Sequence, residues 1–299
     1  MHGGLHLRGR NQAVLWALSI LLVAGGCSRV RLTEEFRARQ ESLLEQARAE
    51  LRARPDDPEA VIWVGRRLAY LGRYREAIRR YSKGIEEHPD DPRLYRHRGH
   101  RRITVREFDR AVRDLERAAG LIVGRPDEIE PDGLPNARNI PTGTLGSNVW
   151  YHLGLARYLR GDFESAREAY RECLEFSKNP DTLVATSHWL YMTLRRLGRE
   201  AEAREVLEPI HAAMDIIENH AYYRLLLMYK REREPQELLL EARESGEIAL
   251  ATTAYGVGNW YLYGGDRERA LEIFRDVVDT PTWAAFGYIA AETDLARLR

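Results

Sequence analysis

The chain repeats itself at a fixed interval, and this constrains its fold more than any other feature. From Pro58 to Asp91 it reads PEAVIWVGRRLAYLGRYREAIRRYSKGIEEHPDD, and Pro92 opens a second unit, PRLYRHRGHRRITVREFDRAVRDLERAAGLIV. Gly65 and Gly99, Tyr74 and Phe108, Ala77 and Ala111, Tyr81 and Leu115, and Gly84 and Ala118 each stand 34 residues apart. Small residues at fixed places let two antiparallel helices approach closely, a turn glycine such as Gly72 ends the first, and large residues fill the seam. Such a unit cannot bury its apolar face alone, so neighbouring units must stack into one continuous core.

The pattern resumes in NVWYHLGLARYLRGDFESAREAYRECL, with Trp150, Leu153, Gly154, Gly161, Phe163, Ala166 and Tyr170 in register and Cys173 at a small-residue place. A degenerate unit follows, keeping Leu190, Gly198, Ala203 and Leu207 but placing Tyr191 where a small residue is usual. A weaker helix pair spans Asn219 to Arg243, and Val257, Gly258, Tyr261, Gly265, Ala270 and Phe274 mark a strong last unit. These residues and this period resemble the tetratricopeptide repeat. The resemblance implies an all-α, right-handed superhelical solenoid of antiparallel helix pairs, with units 1–2 over residues 58–123 and units 3–6 over 148–282. Residues 283–299 read as a terminal capping helix, and 27–57 as an anchor linker with a helix packed before the first unit.

The first 26 residues are set apart from the fold. Arg8 and Arg10 precede an apolar run, AVLWALSILLVA, too short to be a stable bilayer span by itself. Ala24, Gly25 and Gly26 before Cys27 resemble the lipobox of bacterial lipoproteins. That resemblance implies cleavage before Cys27, diacylation of its thiol, and a lipid-anchored protein of the bacterial envelope facing the periplasm or exterior; the alternative is an ordinary cleaved signal. Two acyl chains make attachment stable where one does not. Cys173 would then be a lone thiol, read as a small buried hydrophobe rather than a reactive group.

Lys+Arg and Asp+Glu are equal at 46 each, so no net field draws the chain to nucleic acid or to a membrane surface. Contact with a membrane is expected through the lipid anchor only. No HExxH, G-x-S-x-G, Walker loop or Rossmann glycine pattern occurs, which points away from catalysis and from a cofactor. The pair His97 and His100 is a weak metal candidate, because the arginines around it repel a cation.

The tetratricopeptide resemblance implies a binding groove lined by the first helix of each pair. Carried over unit by unit, its positions fall on Glu59, Ile62, Arg66 and Tyr70, then on Arg93, Arg96, His100 and Ile103. They continue on Asn148, Tyr151, Leu155 and Tyr158, on His188, Met192 and Arg195, and on Tyr255, Asn259 and Tyr263. Such a groove is aromatic and basic, suited to a protein or peptide partner with an anionic segment. The expected function is a non-catalytic scaffold or adaptor of the envelope; the alternatives are a structural subunit of a larger complex or an accessory protein that positions a separate enzyme.

Residues 124–147 interrupt the array. The stretch PDGLPNARNIPTGTLGSN has the turn residues of a loop, and a calcium reading of EIEPDGLPNARN fails because Pro131 intrudes and Asn139 stands where a bidentate Glu is needed. Ile129, Leu134, Ile140 and Leu145 give it apolar points that a solvated hinge has little reason to carry. An ordered lid is therefore favoured over a hinge between two halves, with Asn136, Arg138 and Asn139 reaching the groove.

Overall fold

The computed structural model describes residues 32–298, so the leader and Cys27 lie outside the described residues. A lead helix α1 (Glu34–Ala53) precedes six helix pairs: α2 (Pro58–Tyr70) with α3 (Tyr74–Glu87), α4 (Pro92–Thr104) with α5 (Phe108–Ile122), and α6 (Leu145–Arg160) with α7 (Phe163–Phe176). Next come α8 (Pro180–Arg196) with α9 (Glu200–Val206), α10 (His220–Tyr229) with α11 (Pro235–Glu244), and α12 (Glu247–Tyr263) with α13 (Arg267–Val278). The last element is α14 (Phe286–Arg297). No strand forms among the described residues, and the chain is an all-α solenoid of helix pairs.

Local chemistry sets the boundaries. Helices α2 and α4 each start on a proline that follows an aspartate, and the Asp57 and Asp91 side chains accept the amides of Glu59 and Arg93 at 2.9 Å each. Thr144 and Ser147 form a capping box that starts α6 at Leu145, so Leu145 is a buried helical residue and not part of the inserted segment. Pairing is close where the repeat demands it: a Cβ on Gly65 would lie 2.2 Å from the Tyr81 ring.

Five of the first helices end on a left-handed residue just past the cap: Gly72, Gly198 and Gly265, but also Arg106 at φ 63° and Arg231 at φ 64°. For a residue with a side chain this conformation costs roughly 1–2 kcal/mol. At Arg106 the cost is offset by long-range contacts. Its guanidinium donates to Glu292 at 2.7 Å and to the Trp283 carbonyl at 2.9 Å, and lies 4.1 Å from the Trp283 ring centroid.

These contacts belong to a curvature that the repeat pattern does not specify. Helices α6, α8, α10, α12 and α14 touch one another in a closed circuit, because α14 packs on α12 and α13 and also returns to α6. The close crossing of α14 on α12 needs Gly287, where a Cβ would lie 2.4 Å from the Ala251 carbonyl oxygen. The C-terminal segment is therefore more than an end cap. It closes the inner face of units 3–6, with Phe286 between His100 and His152 at centroid distances of 5.3 and 5.7 Å.

Units 2 and 3 pack directly through α5 and α6, so the array is continuous across the inserted segment.

Candidate functional site

The inner face is filled in two ways. Around the ring of α6 to α14, Tyr158, His188, Tyr255 and Asn259 are buried rather than presented to a partner. Asn259 Nδ2 donates to Tyr158 at 2.6 Å and to Tyr255 at 2.9 Å, and Tyr255 donates to Asp294 at 2.9 Å. Asp294 in turn accepts from Arg196 at 2.9 and 3.1 Å. The expected open groove is thus a core here, since α14 supplies from a distant part of the chain the carboxylate that this aromatic surface needs. Leu155 and Met192 lie in the same core.

Over units 1 and 2 the filler is the inserted segment. Arg66 donates to the Pro131 carbonyl at 2.7 Å and Arg67 to the Gly133 carbonyl at 3.1 Å. The Glu130 carboxylate accepts from Asn148 Nδ2 at 2.8 Å and sits 3.1 Å from Arg96 Nε and 3.0 Å from His97 Nε2. His97 Nδ1 faces the Arg96 guanidinium at 2.9 Å, and since arginine only donates, the ring proton sits on Nε2 toward Glu130. Burial alone would raise the Glu130 pKa, but Arg96, His97 and Arg66 outweigh it and hold the carboxyl at about 2. Burial, reinforced by Arg96, keeps His97 neutral with a pKa of about 3.

Arg96 is thus one half of a buried ion pair, contrary to its expected place on an open basic groove. Arg96→Ala should cost about 3 kcal/mol or more of stability, because it strands the Glu130 charge in a dry site. Thermal or urea unfolding measures this, and a variant as stable as the parent would show that the pair is dispensable.

His100 packs against His152 and Phe286, with ring centroids 4.2 and 5.3 Å away, while His97 stacks on Tyr81, so the two histidines face different neighbours. Ile62 and Ile103 are buried, and Glu59 pairs with Arg93 at 2.9 Å. Tyr70 lies beneath Gly133, Tyr151 shares a hydrogen bond with Tyr222 at 3.1 Å, and Arg195 pairs with Glu200 at 2.9 Å while lying over the Tyr263 ring. Cys173 is buried beside Thr186, and burial pushes its thiol up to about 11.

Asn136, Arg138 and Asn139 do not reach the groove. Arg138 pairs with Asp215 at 2.6 Å and Asn136 approaches Glu218 at 3.4 Å, on the turn before α10, while Asn139 holds a local turn at φ 54°. Buried Asp181 fixes that turn by accepting the amides of Ile217, Glu218 and Asn219 at 2.8–2.9 Å. Ile129, Leu134 and Ile140 are at least half exposed, so polar anchors and not apolar burial hold the segment down.

Stacked helix pairs with small residues at the crossings and a left-handed turn after the first helix define a solenoid of the tetratricopeptide type. The tetratricopeptide repeat family model matches residues 147–180, the third unit. No curated protein matches the chain in sequence. Similar solved structures include YrrB, a TPR protein with an unusual peptide-binding site, at 16% identity over 84% of this chain and 98% of that one, with a TM-score of 0.45. MamA is 15% identical over 68% of this chain and 97% of its own, at 0.43, and the apo quorum sensor NprR from B. thuringiensis is 15% identical over 83% and 88%, at 0.38. At these values the fold assignment rests on the chain's own helix pairs and on the matched repeat.

Proposed function

We propose that this chain is a non-catalytic interaction scaffold that binds a protein or peptide partner and is held at the bacterial envelope by a lipid anchor on Cys27. The observation that carries the binding reading is the way the first two units already receive an extended acidic segment. Arg66 and Arg67 hold two backbone carbonyls while Arg96, His97 and Asn148 surround a carboxylate. Donors spaced for main-chain carbonyls and an acidic side chain suit an extended anionic peptide. The partner surface is then the edge of units 1 and 2 together with the inserted segment, because the inner face of α6 to α14 is largely filled by its own side chains.

The closed ring also favours a second reading, a rigid structural subunit of a larger envelope complex. Capture from detergent-solubilised membranes separates the two. A partner that exchanges rapidly and is weakened about tenfold by Arg66→Ala with Arg67→Ala supports the adaptor. A complex that survives gel filtration at fixed stoichiometry and ignores that double substitution supports the subunit. Cys27→Ser should abolish acyl labelling and release the protein from membranes; retention of an acylated, normally processed variant would overturn the anchor.

A further inference from the structure

A cavity of about 380 Å³ opens where α8, α10 and α12 end, away from the inserted segment. Five of its lining residues are aromatic, and four of them, Tyr191, Tyr229, Trp260 and Tyr263, pack against one another beside Tyr261. Tyr191 and Tyr229 stack at 4.3 Å, Trp260 lies 6.1 Å from Tyr229 and nearly parallel to it, and Tyr263 stands edge-on to Tyr191 and Trp260 at 6.2 and 5.9 Å. Contacts of this kind fix the rings before any ligand arrives, which lowers the entropic cost of binding.

The polar groups of this cavity are unevenly satisfied. Its acids are engaged: Glu200 pairs with Arg195 and Arg204 at 2.9 and 3.0 Å, and Asp266 caps α13 by accepting the Arg269 amide at 3.1 Å. Its donors are not. Tyr263 Oη is sequestered and has no hydrogen-bond partner, Trp260 Nε1 makes no hydrogen bond, and the Arg231 side chain, exposed at the rim, pairs with no acid among the described residues. Arg231 also occupies the left-handed turn position where Gly72, Gly198 and Gly265 stand in other units. Its counterpart Arg106 uses the same strained backbone to reach Glu292 and Trp283, whereas the Arg231 guanidinium makes no such contact and only its backbone amide bonds, to the Met228 carbonyl at 2.8 Å. A strained turn that leaves its guanidinium free at the rim of an aromatic cavity points to a ligand.

We propose that this cavity binds an aromatic ring that carries a carboxylate, the ring packing among Tyr191, Tyr229, Trp260 and Tyr263 and the carboxylate taking the guanidinium of Arg231. A free aryl acid and an aromatic residue beside an acid in a peptide share this chemistry. The site is independent of the donors of units 1 and 2, so it stands or falls separately from the partner surface proposed above.

The test uses N-acetyl-L-phenylalanine, its amide, and the capped dipeptide acetyl-Asp-Phe-amide, titrated calorimetrically into the mature chain. The acid should bind saturably and about tenfold more tightly than the amide, the size of one charge-assisted hydrogen bond. Arg231→Gly removes the guanidinium at a position where glycine is unstrained, so the variant should melt no lower than the parent and bind acid and amide equally. Trp260→Ala should weaken both probes alike. A dipeptide tighter than the free acid assigns the site to a peptide, and the reverse order to a small acid. The proposal is overturned if none of the probes saturates the parent protein, if parent protein binds acid and amide equally, or if Arg231→Gly keeps the parent's preference.

Discussion

Taking the protein from pH 7 to pH 5 should lower its stability by several kcal/mol before any carboxylate titrates. His97, His152 and His188 are all nearly inaccessible, and each is pushed from 6.5 down to about 3. Burial is the main cause in every case. Arg96 adds to it at His97 and His152, while at His188 burial acts alone between the rings of Tyr222 and Tyr229. The folded chain therefore refuses protons that the unfolded chain accepts below 6.5. Stability is flat above that value and falls as the pH drops toward 3, by about 2 kcal/mol per histidine at pH 5. Three such groups amount to about 6 kcal/mol, comparable with the whole stability of an ordinary domain.

Glu130 contributes in a lower window. Its carboxyl is depressed to about 2, so its stabilisation is complete above 4.5 and is lost as the pH falls through 2. Melting temperatures followed by circular dichroism from pH 7.5 to 5 isolate the histidine effect. His188→Phe keeps the stacked ring and should remove about a quarter to a third of the slope, because burial pushes His100 down as well. A melting temperature that does not change over that range would show that these imidazoles are protonated in the folded chain or reach solvent.

The helices were legible because their causes are local. Proline and aspartate at the starts of α2 and α4, glycine after α2, and apolar residues at helical spacing act within a turn or two of where they stand. Curvature was not legible, because it is set by contacts such as Arg196 with Asp294 and Arg106 with Glu292 that join residues far apart in sequence. Of the carried-over groove positions, Arg96 and Tyr255 are covered by Glu130 and Asp294, neither of which has a place in the repeat. In the sequence Glu130 stands out only within the failed calcium-loop pattern. The apolar points of the inserted segment do not anchor it for a related reason: Ile129 and Ile140 remain exposed because backbone carbonyls and one carboxylate make the attachment. At α9 the helix stops at Val206, ahead of Pro209, and the chain turns through residues 207–219 to reach α10.

Replacing Asp294 by alanine should be the most damaging single substitution in the C-terminal half. Asp294 is fully buried, accepts both guanidinium nitrogens of Arg196 at 2.9 and 3.1 Å, and also takes the Tyr255 hydroxyl at 2.9 Å. The alanine variant leaves Arg196 as an uncompensated cation under the ring of helices and removes the acceptor that ties α14 to α8 and α12. Breaking a buried pair in this way costs about 3–5 kcal/mol. The loss should appear as early exchange of amides in α14 and as new protease sensitivity between Thr280 and Arg297, ahead of global unfolding. Arg196→Met combined with Asp294→Leu distinguishes the charge from the packing, since apolar groups of similar volume can replace a buried pair at little cost. If the double variant is more stable than Asp294→Ala by more than 2 kcal/mol or so, the stranded charge accounts for most of the damage. If the two are equally unstable, then α14 is held by the geometry of the hydrogen bond from Tyr255, itself positioned by Asn259, and closing the ring depends on polar fit rather than on charge balance.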